Sequence, residues 1–358
     1  MELPENLRAA LEEQLRGTPQ SELLTAAENI SGRYRKRQAS KPYIQSRDEA
    51  LAYALARMPA TFGAVSRALT YALEGLREPF SAPLSLLDVG AGTGAASWAA
   101  GELLPLRSVH CLEYADVMRR VGEAMMHRES SPLQSAVWER FDLRSDSIGQ
   151  RADVVIASYV LNELGETAQL LAAEQLWQAA DGMLLLVEPG TPEGYRVLMR
   201  IRQRLLERGA HLLAPCPRET PCPLSGDDWC HFSCRIPRTR LHKLAKGGDA
   251  PFEDEKYAYL AFSREESRPA ASRILRRPYI GKGYVRLELC TGEGLAQKTL
   301  TKRDGPLYKA ARKASCGDGG ASPLFNSRLD ASCVSMSENN TFCVAEEESR
   351  DISEGNSR

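Results

Sequence analysis

The chain has 358 residues, of which 43% are hydrophobic and 26% charged, and this composition is typical of a protein with a buried core. No apolar run approaches the roughly 18 residues that a membrane helix needs, so we expect no membrane partner, and we expect a monomer. The first fifteen residues contain glutamates and no apolar signal core, which predicts a cytoplasmic chain of bacterial type without a transit peptide.

Residues 1–75 are predicted to form a helical region. Apolar side chains in residues 48–76 recur at spacings of three and four, which is typical of amphipathic helices. Pro59 is expected to break this stretch into two helices, because proline removes a hydrogen bond from a helix interior. We expect the region to pack as a cap on the domain that follows.

Short apolar strands alternate with helical segments from residue 84 onwards. Five strands are predicted, in chain order LSLLDVG, SVHCLEY, AVWERFDL, ADVVIASYV and GMLLLVEPG. This alternation predicts an α/β fold with a parallel sheet that is covered by helices on both faces. Two later strands, KYAYLAFS and GYVRLELC, are expected to close the sheet as an antiparallel edge pair.

Three glycines follow the first strand directly and precede a helix, where the backbone can turn tightly and approach a ligand. Gly90-x-Gly92-x-x-Ala95 fits the looser dinucleotide fingerprint. Asp88-x-Gly90-x-Gly92-x-Gly94 fits the S-adenosylmethionine loop of class I methyltransferases, which have a Rossmann-like fold. Asp88 favours the methyl donor, because its carboxylate can face a cationic amino group and would repel a pyrophosphate. A glycine turn without a ligand is the remaining alternative.

Polar residues at the ends of three other predicted strands are further candidates for this site. Glu113 ends the second strand, where an acid can accept both ribose hydroxyls. Asp142 follows the third strand and is a candidate for an adenine contact or for a helix cap. Asn162 and Glu163 follow the fourth strand, at the sheet edge where open α/β folds bind ligands. The Asn/Asp-Pro-Pro-aromatic motif of many amino-methylating enzymes is absent, so no catalytic residue is predicted.

The chain contains nine cysteines, and four of them lie within nineteen residues: Cys216, Cys222, Cys230 and Cys234. They belong to residues 211–250, which we expect to be an insertion with its own organising centre. Their irregular spacing lacks the paired knuckles of zinc ribbons, except between Cys230 and Cys234. An iron–sulfur cluster is therefore favoured, with zinc or buried free thiols as alternatives. Cys290, at the end of GYVRLELC, is the candidate for a distant ligand.

Residues 268–313 carry twelve Lys/Arg against three acids, which predicts a surface that faces a polyanion. Nucleic acid is favoured over a face that is only solvated. The predicted phosphate-facing residues are Arg276, Arg277, Lys282, Lys302, Arg303, Arg312 and Lys313, together with Arg238, Arg240 and Lys243.

His231 and His242 are alternative metal ligands, although histidines in a basic segment more often make surface contacts. Residues 314–358 are rich in Ser, Gly, Asn and Glu and are expected to be disordered, with Cys333 and Cys343 incidental.

Seven motifs occur in one order over roughly residues 40–318: LLDVGAGTG, ASYVLNEL, VEPGTPEG, the cysteine segment, the RLH basic run, LRRP and LELCTGEG. In this order they resemble the methyltransferase-like small-ribosomal-subunit assembly factors of mitochondria and bacteria. The resemblance implies a class I methyltransferase domain over residues 76–313, with a basic C-terminal part at 264–313. It also implies association with the small ribosomal subunit or its rRNA, in support of assembly and translation.

The same resemblance implies two cofactors. Cys216, Cys222, Cys230 and Cys290 match the family's ligands for a 4Fe-4S cluster, which leaves Cys234 as a spare thiol. The glycine loop and Glu113 match the positions that hold S-adenosyl-L-methionine. An active S-adenosylmethionine-dependent rRNA methyltransferase is the alternative function, and a nicotinamide-dependent oxidoreductase with a redox cluster is less favoured.

Overall fold

The computed structural model describes residues 2–35, 44–127, 131–238, 242–243, 249–319 and 334–335. The helices are α1 (Glu5–Leu15), α2 (Gln20–Arg35), α3 (Arg47–Glu74), α4 (Ala95–Leu103), α5 (Asp116–Met126), α6 (Glu166–Ala179), α7 (Pro192–Leu206) and α8 (Pro306–Ala311). The strands are β1 (Leu84–Val89), β2 (Leu106–Glu113), β3 (Val137–Arg140), β4 (Ala152–Ser158), β5 (Ala180–Pro189), β6 (His211–Ala214), β7 (Phe232–Pro237), β8 (Phe252–Ser263), β9 (Ser272–Ile274), β10 (Tyr279–Ile280), β11 (Tyr284–Thr291), β12 (Leu295–Thr301) and β13 (Val334–Ser335). Within these residues, no helix is both long and apolar enough to span a bilayer.

The larger sheet has the strand order β3-β2-β1-β4-β5-β8-β6, and β7 also pairs with β8. Strands β1 to β5 are parallel, whereas β8 runs antiparallel to β5 and to β6. This is the strand order of class I methyltransferases, so the predicted α/β fold is confirmed. Its central strands are buried along nearly their whole length, as expected for a parallel sheet covered on both faces.

The two late strands do not form the expected edge pair. KYAYLAFS lies in β8 of the larger sheet, whereas GYVRLELC forms β11 of a smaller sheet with the order β10-β11-β12-β13, to which β9 is added beside β11. Strand β8 is continuously buried from Tyr257 onwards, as an inner strand is, while β11 alternates buried and accessible residues. Two strands with such different burial patterns belong to different sheets.

Helix α3 runs through Pro59 without a break, contrary to the prediction. Leu55, Met58 and Phe62 on both sides of the proline are each at most 5% exposed, and they share one core with β1, β4 and β8. This packing holds the helix together where proline removes a hydrogen bond. Ser46 caps the helix start by accepting a hydrogen bond from the Glu49 N–H (3.2 Å).

Residues 211–250 do not form a separate insertion, because β6 and β7 both pair with β8. The alternating burial of β7 places Phe232, Cys234 and Ile236 against the main core. Residues 314–319, which were expected to belong to a disordered tail, are ordered. Gly317 N–H donates to Ile274 O (2.8 Å), and Ile274 N–H donates to Asp318 O (2.9 Å). Apart from β13, the remainder of the predicted tail, with Cys333 and Cys343, lies outside the described residues.

Candidate functional site

A cavity of about 250 Å³ lies at the carboxyl ends of β1, β2 and β4. Four of the predicted donor-site residues line it: Gly90, Gly92, Glu113 and Asp142. Glu163, which the sequence placed at the same edge, lines it too, and helix α3 contributes Tyr53 and Met58 to the opposite wall. The volume is close to the lower end of ordinary small-molecule pockets, which begin at about 300 Å³.

The glycine loop has the left-handed backbone that its sequence predicts, with φ angles of 74° at Gly90, 60° at Gly92 and 87° at Gly94. The three glycines nevertheless have different surroundings. A Cβ atom at Gly94 would lie 2.3 Å from Met126 Cε, so this glycine allows α4 and α5 to approach each other. At Gly92 the nearest atom to such a Cβ would be Met118 Cε at 3.6 Å. A Cβ atom at Gly92 would therefore make only an ordinary van der Waals contact.

Three predicted site residues do not line the cavity: Asp88, Gly94 and Asn162. Asp88 is fully buried, and its Oδ2 accepts hydrogen bonds from Ser97 N–H (3.0 Å) and Ser97 Oγ (2.7 Å). Burial raises the pKa of the Asp88 carboxyl to about 7. The Asn162 N–H donates to Glu188 Oε2 (3.3 Å) in the turn after β4. Asp88 and Asn162 thus support the loops that form the cavity.

The acids that do face the cavity are Glu113 and Glu163. Glu113 accepts hydrogen bonds from Gly92 N–H (2.8 Å) and from Ala115 N–H (2.7 Å), and burial raises its pKa. Burial, and secondarily the charge of Glu113, raises the pKa of Glu163 to about 7. The cavity therefore contains two carboxyl groups and favours a positively charged ligand. Asp142 stays ionised, because Arg144 lowers its pKa, but the paired guanidinium (2.8 Å) offsets its charge.

Sequence reasoning missed Tyr159, which also lines the cavity. It has φ = 58°, an uncommon angle for a residue with a side chain, at the end of β4. Its hydroxyl donates to Glu255 Oε1 (3.0 Å), and Arg57 of α3 binds both oxygens of Glu255 (3.0 and 3.3 Å). No local pattern predicts this network, because its members lie on three elements distant in sequence.

A second, small cavity is lined by the four cysteines that were predicted as ligands: Cys216, Cys222, Cys230 and Cys290. The first three lie on the segment between β6 and β7, and Cys290 lies on β11 of the smaller sheet. The other lining side chains are mainly apolar, with Arg273 and two tyrosines. The tyrosine hydroxyl of Tyr195 donates to Cys222 Sγ (3.3 Å).

The surroundings of these thiols are dry and carry positive charge. Burial raises the pKa of Cys216, which Arg202 opposes, and burial raises the pKa of Cys290 to about 12. Arg202 is 4% exposed and donates to the carbonyls of Arg218 and Thr220, both at 2.8 Å. Two buried arginines, Arg202 and Arg273, therefore stand close to a group of four thiols.

The remaining candidates for metal ligands lie elsewhere. Cys234 does not line the cysteine cavity, and its Sγ is 3.1 Å from where a Cβ atom would stand at Gly63 of α3. His231 stacks on Trp229 at 5.2 Å, and buried His242 lies 3.6 Å from Glu253. Among the described residues, no group of three or more His, Cys, Asp or Glu side chains has the arrangement of a metal-ion site.

Sequence reasoning also missed Cys316, which was assigned to a disordered tail. Its thiol donates to Leu275 O (3.0 Å). It lies close enough to Cys230 that a negative charge on Cys316 would raise the pKa of Cys230. A thiol held by a backbone carbonyl in a polar segment leaves no recognisable signal in the sequence.

The predicted basic surface is only partly assembled. Arg238 pairs with Glu253 (2.7 Å) and is largely buried, and Arg276 pairs with Asp228. The exposed members lie on the smaller sheet and α8: Arg277, Lys282, Lys302, Arg303, Arg312 and Lys313. Lys243 is described within a two-residue fragment, and Arg240 lies outside the described residues.

Residues 47–320 match the sequence profile of the family described as mitochondrial small ribosomal subunit Rsm22. The ribosome assembly protein METTL17, mitochondrial, of Homo sapiens is 29% identical over 291 residues, covering 75% of this chain and 61% of the human protein. The Rsm22-cox11 tandem protein 2, mitochondrial, of Schizosaccharomyces pombe is 24% identical over 289 residues, covering 65% and 38%. The chain thus spans about three fifths of the human relative's length and less of the yeast relative's.

These names overturn the predicted cytoplasmic location, since the family description and both relatives are mitochondrial. The composition of the first fifteen residues does not decide the compartment.

Solved structures with similarity to this fold include two methyltransferases. Magnesium protoporphyrin IX methyltransferase from Synechocystis PCC 6803 with bound SAM has a TM-score of 0.38 and 15% identity, covering 66% of this chain and 93% of that chain. The ribosomal protein L11 methylase from Lactobacillus delbrueckii subsp. bulgaricus has a TM-score of 0.33 and 18% identity, covering 56% and 80%.

Proposed function

Because the chain belongs to the mitochondrial small ribosomal subunit Rsm22 family, we propose that it is a mitochondrial factor that binds the small ribosomal subunit or its rRNA and supports its assembly and translation. The observation that carries this proposal is the family match over residues 47–320, which includes both the glycine loop and the four clustered cysteines. We assign three parts of the chain to this role: the donor cavity, the cysteine cavity and the exposed basic surface.

The donor cavity would bind S-adenosyl-L-methionine through Gly90, Gly92, Glu113 and Asp142. Each oxygen of Glu113 already accepts one backbone N–H, and a carboxylate oxygen has a second lone pair that a ribose hydroxyl can use. The acids Glu113 and Glu163, which both line the cavity, give it the charge that a sulfonium ligand needs. Asp88, Gly94 and Asn162 would hold the surrounding loops rather than contact the ligand.

Donor affinity should therefore fall as the pH is lowered from 8 to 6. Glu163, with a pKa of about 7, is mainly ionised at pH 8 and mainly protonated at pH 6, where it no longer attracts a cation. We expect a weakening of about threefold to tenfold, as for a partly screened charge pair. Calorimetry with S-adenosylmethionine at both pH values measures it.

S-Adenosylhomocysteine, which lacks the sulfonium charge, is the matched control ligand and should show a smaller change. Glu163→Gln should flatten the pH dependence for the charged donor. An equal pH dependence for both ligands, retained in Glu163→Gln, would contradict the role of this carboxyl.

The cysteine cavity would hold a 4Fe-4S cluster through Cys216, Cys222, Cys230 and Cys290. The donor set fits, because four thiols and no carboxylate line the cavity, and thiolates are the usual ligands of iron–sulfur clusters. A thiolate-bound cluster carries net negative charge, which Arg202 and Arg273 can balance. When bound, the cluster would cross-link the segment between β6 and β7 to β11, and so tie the smaller sheet to the larger one.

The exposed basic residues of the smaller sheet and α8 would contact rRNA phosphates. Arg238 and Arg276 are not included, because Glu253 and Asp228 already neutralise them. Lys302 and Arg303 directly follow β12, and Arg277 lies just before β10.

Replacing Arg277, Lys302 and Arg303 together by alanine should weaken binding to small-subunit rRNA and flatten its salt dependence. Each lost phosphate contact should reduce the slope of log affinity against log salt by roughly 0.7 to 0.9. Filter binding at several salt concentrations measures the slope. The matched control removes the exposed Arg8, Arg16 and Arg120 of α1 and α5, which subtracts the same charge elsewhere. An identical loss in both triple variants would show that only net charge matters.

Methyl transfer to rRNA is the second candidate, favoured by Glu163 at the cavity with a pKa of about 7, where a carboxylate can accept a proton. Incubation of assembling small subunits with radiolabelled donor separates the two. Label in the rRNA would establish an enzyme, and its absence alongside subunit binding would leave an assembly factor.

A further inference from the structure

The outer face of the smaller sheet exposes aromatic rings that its core does not use. Tyr279 of β10 is 58% exposed and stands opposite Arg286 of β11, so the two side chains share a face. Tyr284 lies on the same face, with its ring centre 6.0 Å from that of Tyr279. The core of this sheet lies on the other face, where Val285 and Leu287 are fully buried. Tyr279 is open to solvent, whereas Tyr284 is half-buried, with the backbone of Gly281 against its ring.

This aromatic face, which comprises Tyr279, Tyr284 and Arg286, is surrounded by positive charge. The Arg286 guanidinium lies 5.8 and 6.0 Å from the two ring centres. Lys282 is exposed in the turn between the tyrosines, and Lys302 N–H donates to Gly283 O (3.1 Å), which brings the end of β12 beside this turn.

Neutral side chains complete the face on β12. Thr299 and Thr301 are exposed opposite Arg286 and Tyr284. Two acids lie near this face: Glu288, opposite Gln297 on the next pair of the same face, and Asp304, which accepts a hydrogen bond from Thr301 Oγ1 (3.0 Å). The rings thus adjoin cations on the hairpin side, and threonines with Asp304 behind them on the other.

A second exposed aromatic shows that exposure alone does not produce this environment. Phe252 is 41% exposed, and Arg235 stacks on it at 3.9 Å. There, Asp254 binds the guanidinium through both oxygens, each at 2.8 Å, and so neutralises it. At the aromatic face, by contrast, no carboxylate of the described residues pairs with Arg286, Lys282 or Lys302.

We propose that the aromatic face binds single-stranded RNA by stacking unpaired bases on Tyr279 and Tyr284 while Lys282 and Lys302 contact the phosphates. The inference rests on the proposed rRNA binding and specifies the kind of RNA that is bound. Duplex RNA presents its phosphates and grooves, and it would leave the two rings without a partner, whereas unpaired bases stack on aromatic side chains. A protein partner would need a wider apolar area than this face offers, because the exposed Ile280 pairs with Val285 and so belongs to the other face.

Tyr279→Ala in the full chain tests the stacking, with fluorescence anisotropy on a labelled, unstructured pyrimidine 12-mer. We expect the Kd to rise about fivefold to a hundredfold, the range for one lost base-stacking contact. Tyr279→Phe keeps a ring and should bind nearly as wild type. Phe252→Ala is the matched control for loss of an exposed aromatic and should have no effect. Because Tyr279 is mainly exposed, all three variants should keep the wild-type melting temperature.

Salt dependence separates stacking from phosphate contact. Tyr279→Ala should lower affinity without changing the salt slope, whereas Lys282→Ala should reduce the slope by roughly 0.7, the value for one contact to a single strand. A hairpin duplex of equal length should bind Tyr279→Ala and wild type equally.

Each outcome bears on one proposal. If Tyr279→Ala binds the 12-mer as well as wild type does, or loses affinity no more than Phe252→Ala, the stacking site is overturned. Binding to the small subunit is then decided by the triple variant of Arg277, Lys302 and Arg303. If Tyr279→Ala reduces cosedimentation with small subunits but wild type shows no affinity for the 12-mer, the face serves a protein and the RNA inference is overturned. If the 12-mer binds as expected but small subunits do not cosediment, the stacking site stands and the proposed function fails.

Discussion

Serine at Cys216, Cys222, Cys230 or Cys290 should in each case abolish the visible absorption band of anaerobically purified protein, while Cys234→Ser should leave it unchanged. The four residues line one cavity, and Cys234 lies outside it, against α3. Loss of one ligand should also lower solubility and the melting temperature, because ligation energy at a metal site is folding energy. Absorption spectra together with iron, sulfide and zinc analysis provide the measurement.

Cys234→Ser is a stringent control, since it removes a buried thiol from the same segment without touching the cavity. Cys316→Ser is a second control, because that thiol adjoins Cys230 but is held by Leu275 O. Bleaching by Cys234→Ser together with a coloured Cys290→Ser would refute the ligand assignment. Stoichiometric zinc without iron or sulfide would refute the cluster and leave a zinc site.

The central part of the fold could be predicted because its signals are local. The strands β1, β4 and β5 each contain a short apolar run, and the glycine loop follows the first of them. The periodicity of α4 and α5 is equally local. In such segments the spacing of apolar residues predicts which side chains are buried, without knowledge of the neighbouring elements.

The direction of individual side chains in the site could not be predicted. Asp88 and Glu113 both end parallel strands, yet Asp88 turns to Ser97 of α4 and Glu113 faces the cavity. Gly92 and Gly94 differ too, because a Cβ atom would lie 3.6 Å from Met118 Cε of α5 at the first position and 2.3 Å from Met126 Cε of the same helix at the second. These differences arise from the packing of helices on the sheet, which cannot be read from a sequence motif.

Residues 211–319 were the hardest part to predict because their partners are distant in sequence. Prolines and cysteines between β6 and β7 suggested an independent unit, although the alternating FSCRIP pattern of β7 already carried the signal of a half-buried strand. The polar composition after residue 314 predicted disorder, whereas residues 314–319 are ordered against β9. A buried side chain, Arg273, contributes to the order of this segment.

Replacing Arg273 by methionine should destabilise the protein by about 2 to 4 kcal/mol, the range for losing two charge-assisted hydrogen bonds and leaving their carbonyls unpaired. Arg273 is 1% exposed and donates to Pro215 O (2.9 Å) and Gly317 O (2.8 Å). Its guanidinium also lies 4.9 Å from the ring centre of Tyr71. Urea unfolding of samples with equal metal content measures the free energy, and amide hydrogen exchange reports on residues 314–319.

Arg264→Met is the matched control for this change. Arg264 also donates to a backbone carbonyl, Ala180 O (2.9 Å), and stacks on Trp177 at 3.8 Å, but it is only half-buried. Water can therefore replace its hydrogen bonds, and we expect a loss of less than about 1.5 kcal/mol. Amide exchange at residues 314–319 should accelerate in Arg273→Met and not in Arg264→Met. Arg273, unlike Arg264, joins this segment to Pro215 in the loop after β6. Equal destabilisation of both variants, with unchanged exchange at Gly317, would show that Arg273 does not hold the segment in place.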